Sequence, residues 1–171
     1  MTRCAYFDTC ALARWAEGDV ADADVRAQTG REAVEALLAE AETVLAVSEV
    51  TVLEYSSTLT QYWRMNEKPS HDQAWAERSL EALMRRIASG RIAIVPIPLK
   101  AGEHAMQLMT VATRDRGIAL HTWDAVHLIT ATAWADTLGQ QVELVTCDDD
   151  YKRFVTAFPY FGEFVTITEV V

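Results

Sequence analysis

Apolar residues along the chain follow two alternating rhythms. Short runs of β-branched and aromatic residues read as strands: RCAYF at 3–7, TVLAV at 43–47, RIAIVPIP at 91–98, VELVT at 142–146 and FVTIT at 164–168. The third is closed by its two prolines. Between the strands the spacing turns helical. A helix begins at once in DTCALARWA, and Val34, Leu37, Leu38 and Ala41 recur at helical intervals in REAVEALLAEAE. Ser48 is placed to cap a helix that starts at Glu49 and runs through VTVLEYSSTLTQYW until NEKPS breaks it. Further helices are expected over about 71–88, ended by Ser89-Gly90, and from Leu99 to Asp115, stopped at Gly117. Another covers WDAVHLITATAWADTL, capped by Thr122 or His121 and ended at Gly139, and a short one covers DDDYKRFVTAF. The stretch ADADVRAQTG is polar and reads mainly as loop.

This order predicts an α/β fold with a mostly parallel central sheet and helices on both faces. In such sheets ligands bind beyond the carboxyl ends of the strands. Four acids meet that condition. Asp8 follows the first strand, and Asp148 follows VELVT after only Cys147. Glu54 lies in the first two turns of the helix leaving TVLAV, and Asp124 sits in the first turn of its own helix. Two carboxylates about 4 Å apart repel by around 4 kcal/mol at an effective dielectric of 20. Protonation, pairing with bases, or a divalent cation must relieve that repulsion. Few bases lie nearby in sequence, and oxygen-only ligation suits Mg²⁺ or Mn²⁺. Each acid alone has a plainer reading, as a helix cap or a partner of the helix dipole. Glu54, among Val50, Val52, Leu53 and Leu59, is the hardest to explain that way.

Composition narrows the class. The 171 residues are 50% apolar, enough for a packed core and consistent with a single domain. No apolar run is long enough to span a membrane, and MTRCAYFDTC has no signal-peptide core, so a cytoplasmic protein is expected. Three scattered cysteines make neither a disulfide framework nor a CxxC zinc site. A net charge of -10, taken whole, argues against nucleic acid as a partner. By segment it does not. Residues 1–63 carry -7 and residues 117–171 carry -6, while residues 64–116 carry +3.

Four short segments, YFDTCAL at 6–12, SEVTVLEY at 48–55, WDAVHLITA at 123–131 and LVTCD at 144–148, together resemble the PIN-domain ribonucleases. The style is that of the VapC-type toxins of toxin–antitoxin pairs. The resemblance implies a PIN-like three-layer sandwich and Mg²⁺- or Mn²⁺-dependent hydrolysis of RNA phosphodiester bonds. It places Asp8, Glu54, Asp124 and Asp148 at the acidic metal-binding positions, with Thr9 and Thr146 as supporting hydroxyls. It also implies an antitoxin whose basic C-terminal segment enters the acidic cleft, and a homodimer. Cys10 departs from the Ser usual after Asp-Thr, the spacing from Asp8 to Glu54 is long, and Asp149 and Asp150 compete with Asp148 for the fourth position.

RNA needs bases to hold its backbone. The candidates are Arg64, Lys68, Arg85, Arg86 and Arg91 in the basic middle, with Lys152 and Arg153 near the fourth acid. Solvated helix faces are the simpler reading of each. Trp15 and Trp123 lie near acids and could stack on a base, although packing is the default for all five tryptophans. A zinc site from His121, Asp124 and His127 converges poorly, and His127 is expected to pack or to support the site. Cys10 and Cys147 each adjoin an acid. Two small buried thiols are the simpler reading, oxidation-sensitive activity the sharper one. Two other classes compete: a haloacid-dehalogenase-like phosphatase, and a non-catalytic PIN-like interaction module. The phosphatase wants a second Asp where Cys10 stands.

Overall fold

The computed structural model describes residues 2–65 and 68–170. In chain order the elements are β1 (Cys4–Phe7), α1 (Thr9–Glu17), α2 (Val25–Ala39), β2 (Val44–Ser48), α3 (Glu49–Met65), α4 (Gln73–Ala88) and β3 (Ile92–Val95). Then follow α5 (Ala101–Arg116), α6 (Thr122–Leu138), β4 (Val142–Thr146), α7 (Asp149–Ala157), α8 (Pro159–Gly162) and β5 (Val165–Glu169). Every strand pair is parallel, in the order β3-β2-β1-β4-β5. The expected α/β sandwich with a parallel sheet is what forms.

Strand alternation builds the three layers. Ala5 and Phe7 of β1, Leu45 and Val47 of β2 and Val145 of β4 face one way, onto Leu12, Trp15, Val34, Tyr55, Leu59 and Trp75 of α1 to α4. Cys4, Tyr6, Ala46, Val142 and Leu144 face the other way, onto Leu128 and Ala131 of α6 and Tyr151 and Phe154 of α7. The central strand is buried at every position because both faces are covered. No helix among the described residues is long and apolar enough to cross a membrane.

Three expectations shift. The polar stretch before Arg31 is largely helix: Asp24 caps α2 by accepting from the Ala27 amide at 2.8 Å, and α2 continues through Gly30. Gly30 stops nothing. A Cβ there would stand 2.9 Å from Arg14 Cβ, so its absence lets α2 pack closely on α1. The one-turn helix α8 was not expected, and β3 ends at Val95 before the prolines. The break foreseen at NEKPS falls partly on residues 66 and 67, outside the described residues.

The strand order has one reversal. From β1 the chain moves outward to β2 and β3, and β4 and β5 then fill the opposite side. The switch point lies between the carboxyl ends of β1 and β4, where an α/β sheet leaves a crevice.

Candidate active site at the carboxyl edge of the sheet

That crevice is a cavity of about 300 Å³ that Asp8, Glu54, Asp124 and Asp148 all line. Asp8 extends the β1–β4 ladder by one residue, its amide donating to the Val145 carbonyl at 3.1 Å. It is also the N-cap of α1: Oδ1 accepts from the Ala11 amide at 3.0 Å, and Oδ2 accepts from the Thr146 hydroxyl at 2.6 Å. Only 3% of Asp8 is exposed. Burial raises its carboxyl above the ordinary value, against the opposing pull of His127 and of the donors from Thr146, Ala11 and Cys10.

Asp148 caps α7, accepting from the Asp150 amide at 2.8 Å, while its own amide donates to Thr146 Oγ1 at 3.0 Å. Asp124, in the first turn of α6, accepts from the His121 amide at 3.0 Å. Burial, then the nearby Asp148 and Asp8 carboxylates, push it up to about 6 against that amide. The plainer reading of these three acids is therefore correct as far as it goes: each caps a helix or closes a capping box. Capping leaves free lone pairs on each carboxylate, and all three residues line the cavity.

Glu54 caps nothing. Thr9 Oγ1 donates to its Oε2 at 2.5 Å, and His127 Nε2 donates to the same oxygen at 2.9 Å. Behind it the Tyr6 hydroxyl meets His127 Nδ1 at 2.9 Å and Ser48 Oγ at 2.9 Å, so the glutamate rests on a buried polar chain. Burial works against its charge, but the bonds from His127 and Thr9 win and hold it below the usual carboxylate value. His127 is the supporting residue foreseen. The imagined zinc site does not form: His121 is an exposed helix cap, and His127 is buried against Glu54.

Among the described residues, no three His, Cys, Asp or Glu side chains are drawn into a ready-made metal cage. Each of the four acids instead accepts from a donor of the chain: Asp8, Asp124 and Asp148 from amides close in sequence, Glu54 from the distant Thr9 and His127. The donor set nonetheless fits a hard divalent cation, being carboxylate and hydroxyl oxygen around one cavity, and the burial that disfavours the charged forms of Asp8 and Asp124 is a cost that a cation would offset. Asp149 and Asp150 line an adjoining hollow with Arg26 and Glu169, and Asp150 pairs with Arg153 at 2.8 Å.

None of the seven basic candidates lines the carboxylate cavity. Arg91 is spent elsewhere, donating to the carbonyls of Leu37, Leu38, Glu40 and Thr43 at 2.6–2.8 Å, where it caps the end of α2. Arg86 lies 3.8 Å from Glu35, and Lys152 lies 3.3 Å from Glu169. Lys68 sits near Asp22 and Asp24. Arg64 is exposed on a different face of α3 from Glu54, Thr58 and Tyr62, which line the cavity; Arg85 is exposed. Trp15 is buried and donates to Glu35 at 2.7 Å, so it cannot stack on a base; Trp123 is exposed.

The base that does line the cavity is Arg14, held at 2.9 Å by Glu17. Its signal lay in spacing: Cys10, Arg14 and Glu17 fall on one face of α1. Tyr151 lies outside the cavity lining. Its ring is buried in the core, its hydroxyl has no hydrogen-bond partner among the described residues, and burial, then Asp8 and Asp124, keep the phenol protonated.

A profile of the PIN domain matches residues 5–156. The chain belongs to the PIN-domain family. That membership sets aside the haloacid-dehalogenase alternative. Among solved structures, that of VapBC2 from Rickettsia felis, bound to a DNA fragment from their promoter, is similar at a TM-score of 0.59 and 12% identity. The match covers 96% of this chain and 98% of that one. Mycobacterium tuberculosis VapC20, a sarcin-ricin-loop-cleaving toxin, is similar at a TM-score of 0.54 and 18% identity, over 87% of this chain and 93% of that one. At these identities the likeness is one of fold. A sequence search of curated proteins gave no match.

Proposed function

We propose that this PIN-domain protein is a divalent-metal-dependent endoribonuclease, the toxin of a type II toxin–antitoxin pair. The observation that carries the reading is the gathering of Asp8, Glu54, Asp124 and Asp148 around one cavity at the sheet's switch point, with Arg14 beside them. The fold shared with VapC20 and VapBC2 supports it.

Asp8, Glu54, Asp124 and Asp148 would hold one or two Mg²⁺ or Mn²⁺ ions. Such an ion supplies a water of lowered pKa and stabilises charge on the phosphate and the leaving oxygen. The chain's own groups set the geometry. Thr146 fixes Asp8 and the Asp148 amide together; Thr9 and His127 fix Glu54 from opposite sides. Arg14 offers a fork of N–H donors to a phosphate at the cavity wall, where Glu17 holds it. No side-chain nucleophile is required, so the thiols of Cys10 and Cys147 stand outside the reaction.

The same acidity defines the partner. A basic C-terminal segment of an antitoxin would place Lys or Arg among the carboxylates and compete with metal. Two copies of the chain pairing is part of the proposal, and light scattering on the purified protein checks it. The nuclease reading is tested by incubating purified protein with single-stranded and loop-containing RNA in Mg²⁺ or Mn²⁺. Cleavage leaving 5′-phosphates, lost with EDTA and in Asp8→Asn, is the expected result. Uncut RNA with either metal, or cleavage that survives both changes, overturns it and leaves the non-catalytic module in its place.

A further inference from the structure

β1 and β4 are neighbours, with Phe7 beside Val145, so the residues leaving their carboxyl ends leave together. Cys10 stands in the first turn of α1, and Cys147 directly follows β4. The Cys147 amide donates to Cys10 Sγ at 2.8 Å, which sets the two cysteines side by side. A sulfur that close to the Cys147 backbone is already near the reach a bridge requires. Both thiols line the carboxylate cavity and the hollow next to it, and both are partly exposed, so small oxidants reach them. Cys4 is different: it is buried toward the opposite end of β1, against the Gln140 amide.

We propose that Cys10 and Cys147 form a reversible disulfide that switches the carboxylate site off. The bridge stands on the two thiols alone, whereas its effect on cleavage rests on the nuclease reading above. The oxidant is hydrogen peroxide or an equivalent peroxide. One sulfur takes an oxygen to become a sulfenic acid as the O–O bond breaks and one water leaves. The second thiol then displaces the hydroxyl as a second water, so two S–H bonds are exchanged for one S–S bond. A dithiol reverses it.

The bridge reaches the site through contacts already present. Cys10 Sγ lies 3.2 and 3.4 Å from the two Asp8 oxygens and 3.3 Å from Thr146 Oγ1. Oxidation removes the thiol hydrogen from a buried carboxylate. It also ties the start of α1 to the turn that carries Asp148. Two of the four acids are disturbed by one bond.

The test treats the full chain with peroxide, quenches, unfolds it and counts thiols. Three free thiols should fall to one, that of Cys4, with the Cys10 and Cys147 peptides joined; dithiothreitol should restore three. RNA cleavage should fall by about tenfold or more on oxidation and recover on reduction. In Cys10→Ser and Cys147→Ser the ratio of oxidised to reduced activity should stay within about twofold, which separates the bridge from oxidation elsewhere. Mn²⁺-induced thermal stabilisation gives a readout without RNA, and it should shrink in the bridged protein. Three surviving thiols, thiols lost without a joined peptide, or an equal loss in the Ser variants overturns the proposal. So does a bridged protein that binds Mn²⁺ and cuts RNA undiminished. Reduced protein that cuts no RNA overturns the nuclease reading instead, and the switch is then judged on Mn²⁺ binding.

Discussion

At the amino edge of the sheet, Arg3 gathers two carboxylates. Its guanidinium meets Glu143 at 2.7 Å and Glu40 at 2.8 Å, and Thr168 and Thr43 add hydroxyl donors. Hydrogen bonding to Arg3 holds Glu143 below its usual value, and Thr43 then Arg3 do the same for Glu40. At the carboxyl edge four acids surround a cavity whose lining base, Arg14, already faces Glu17. There Asp8 and Asp124 are pushed up instead. One end of the sheet neutralises its charge and the other stores it. Stored charge costs stability, and perturbed carboxyl groups of this kind cluster at functional sites.

The contrast can be broken by mutation, and the largest effect belongs to Asp8. Asp8→Asn should lower RNA cleavage by at least about 100-fold, while Arg3→Ala should leave the rate of the folded protein within about twofold. Steady-state kinetics on both variants decides. Next comes His127→Ala, which strips one donor from Glu54 and opens a gap beside Tyr6; cleavage should fall by about 10- to 100-fold. His127→Gln should recover part of that loss if holding Glu54 is the residue's role. Arg91→Ala works on the fold. Losing its bonds to four carbonyls should cost about 2 kcal/mol in denaturant unfolding, with the cleavage rate of the folded protein unchanged.

The smallest effect is the most specific to the comparison. The folded value of Asp124, about 6, lies above its unfolded value, so the folded state binds the extra proton. Its contribution to stability therefore falls as pH rises from about 4 to 6 and stays lost above that. Glu143 and Glu40 have the opposite sign: their contribution is present above the unfolded carboxylate value and is lost as pH falls through the depressed one. In metal-free protein at pH 7.5, Asp124→Asn should raise the melting temperature by about 2–4 °C and Glu143→Gln should lower it. Equal signs for the two would erase the distinction between the ends of the sheet.

Much of this was legible in the residues. Asp8 and Asp148 announced themselves because a parallel sheet delivers its loops to one edge, and Glu54 because an acid among Val50, Val52 and Leu53 needs a partner. The arrangement of their donors was not legible. That Thr146 serves both Asp8 and Asp148 depends on the β1–β4 register, which joins residues 138 positions apart. The placement of the basic residues was not legible for a different reason. Segment charge pointed to 64–116, yet Arg91 belongs to the end of α2, and Arg14 lay inside an acidic segment. Charge counted along the chain is blind to which face a helix turns inward. The onset of α2 was hidden by the polarity of ADADVRAQTG, within which Gly30 serves packing on α1.

Metal binding to the stored charge is the centre of the account, and thermal unfolding with and without Mn²⁺ at pH 7.5 measures it directly. With Mn²⁺ at about 100 times its Kd, the wild-type protein should gain about 5 °C or more. Asp8→Asn and Asp124→Asn should gain much less, and Glu143→Gln should gain as much as wild type. An absent shift, or the same shift in all four proteins, would contradict a metal site at the carboxyl edge.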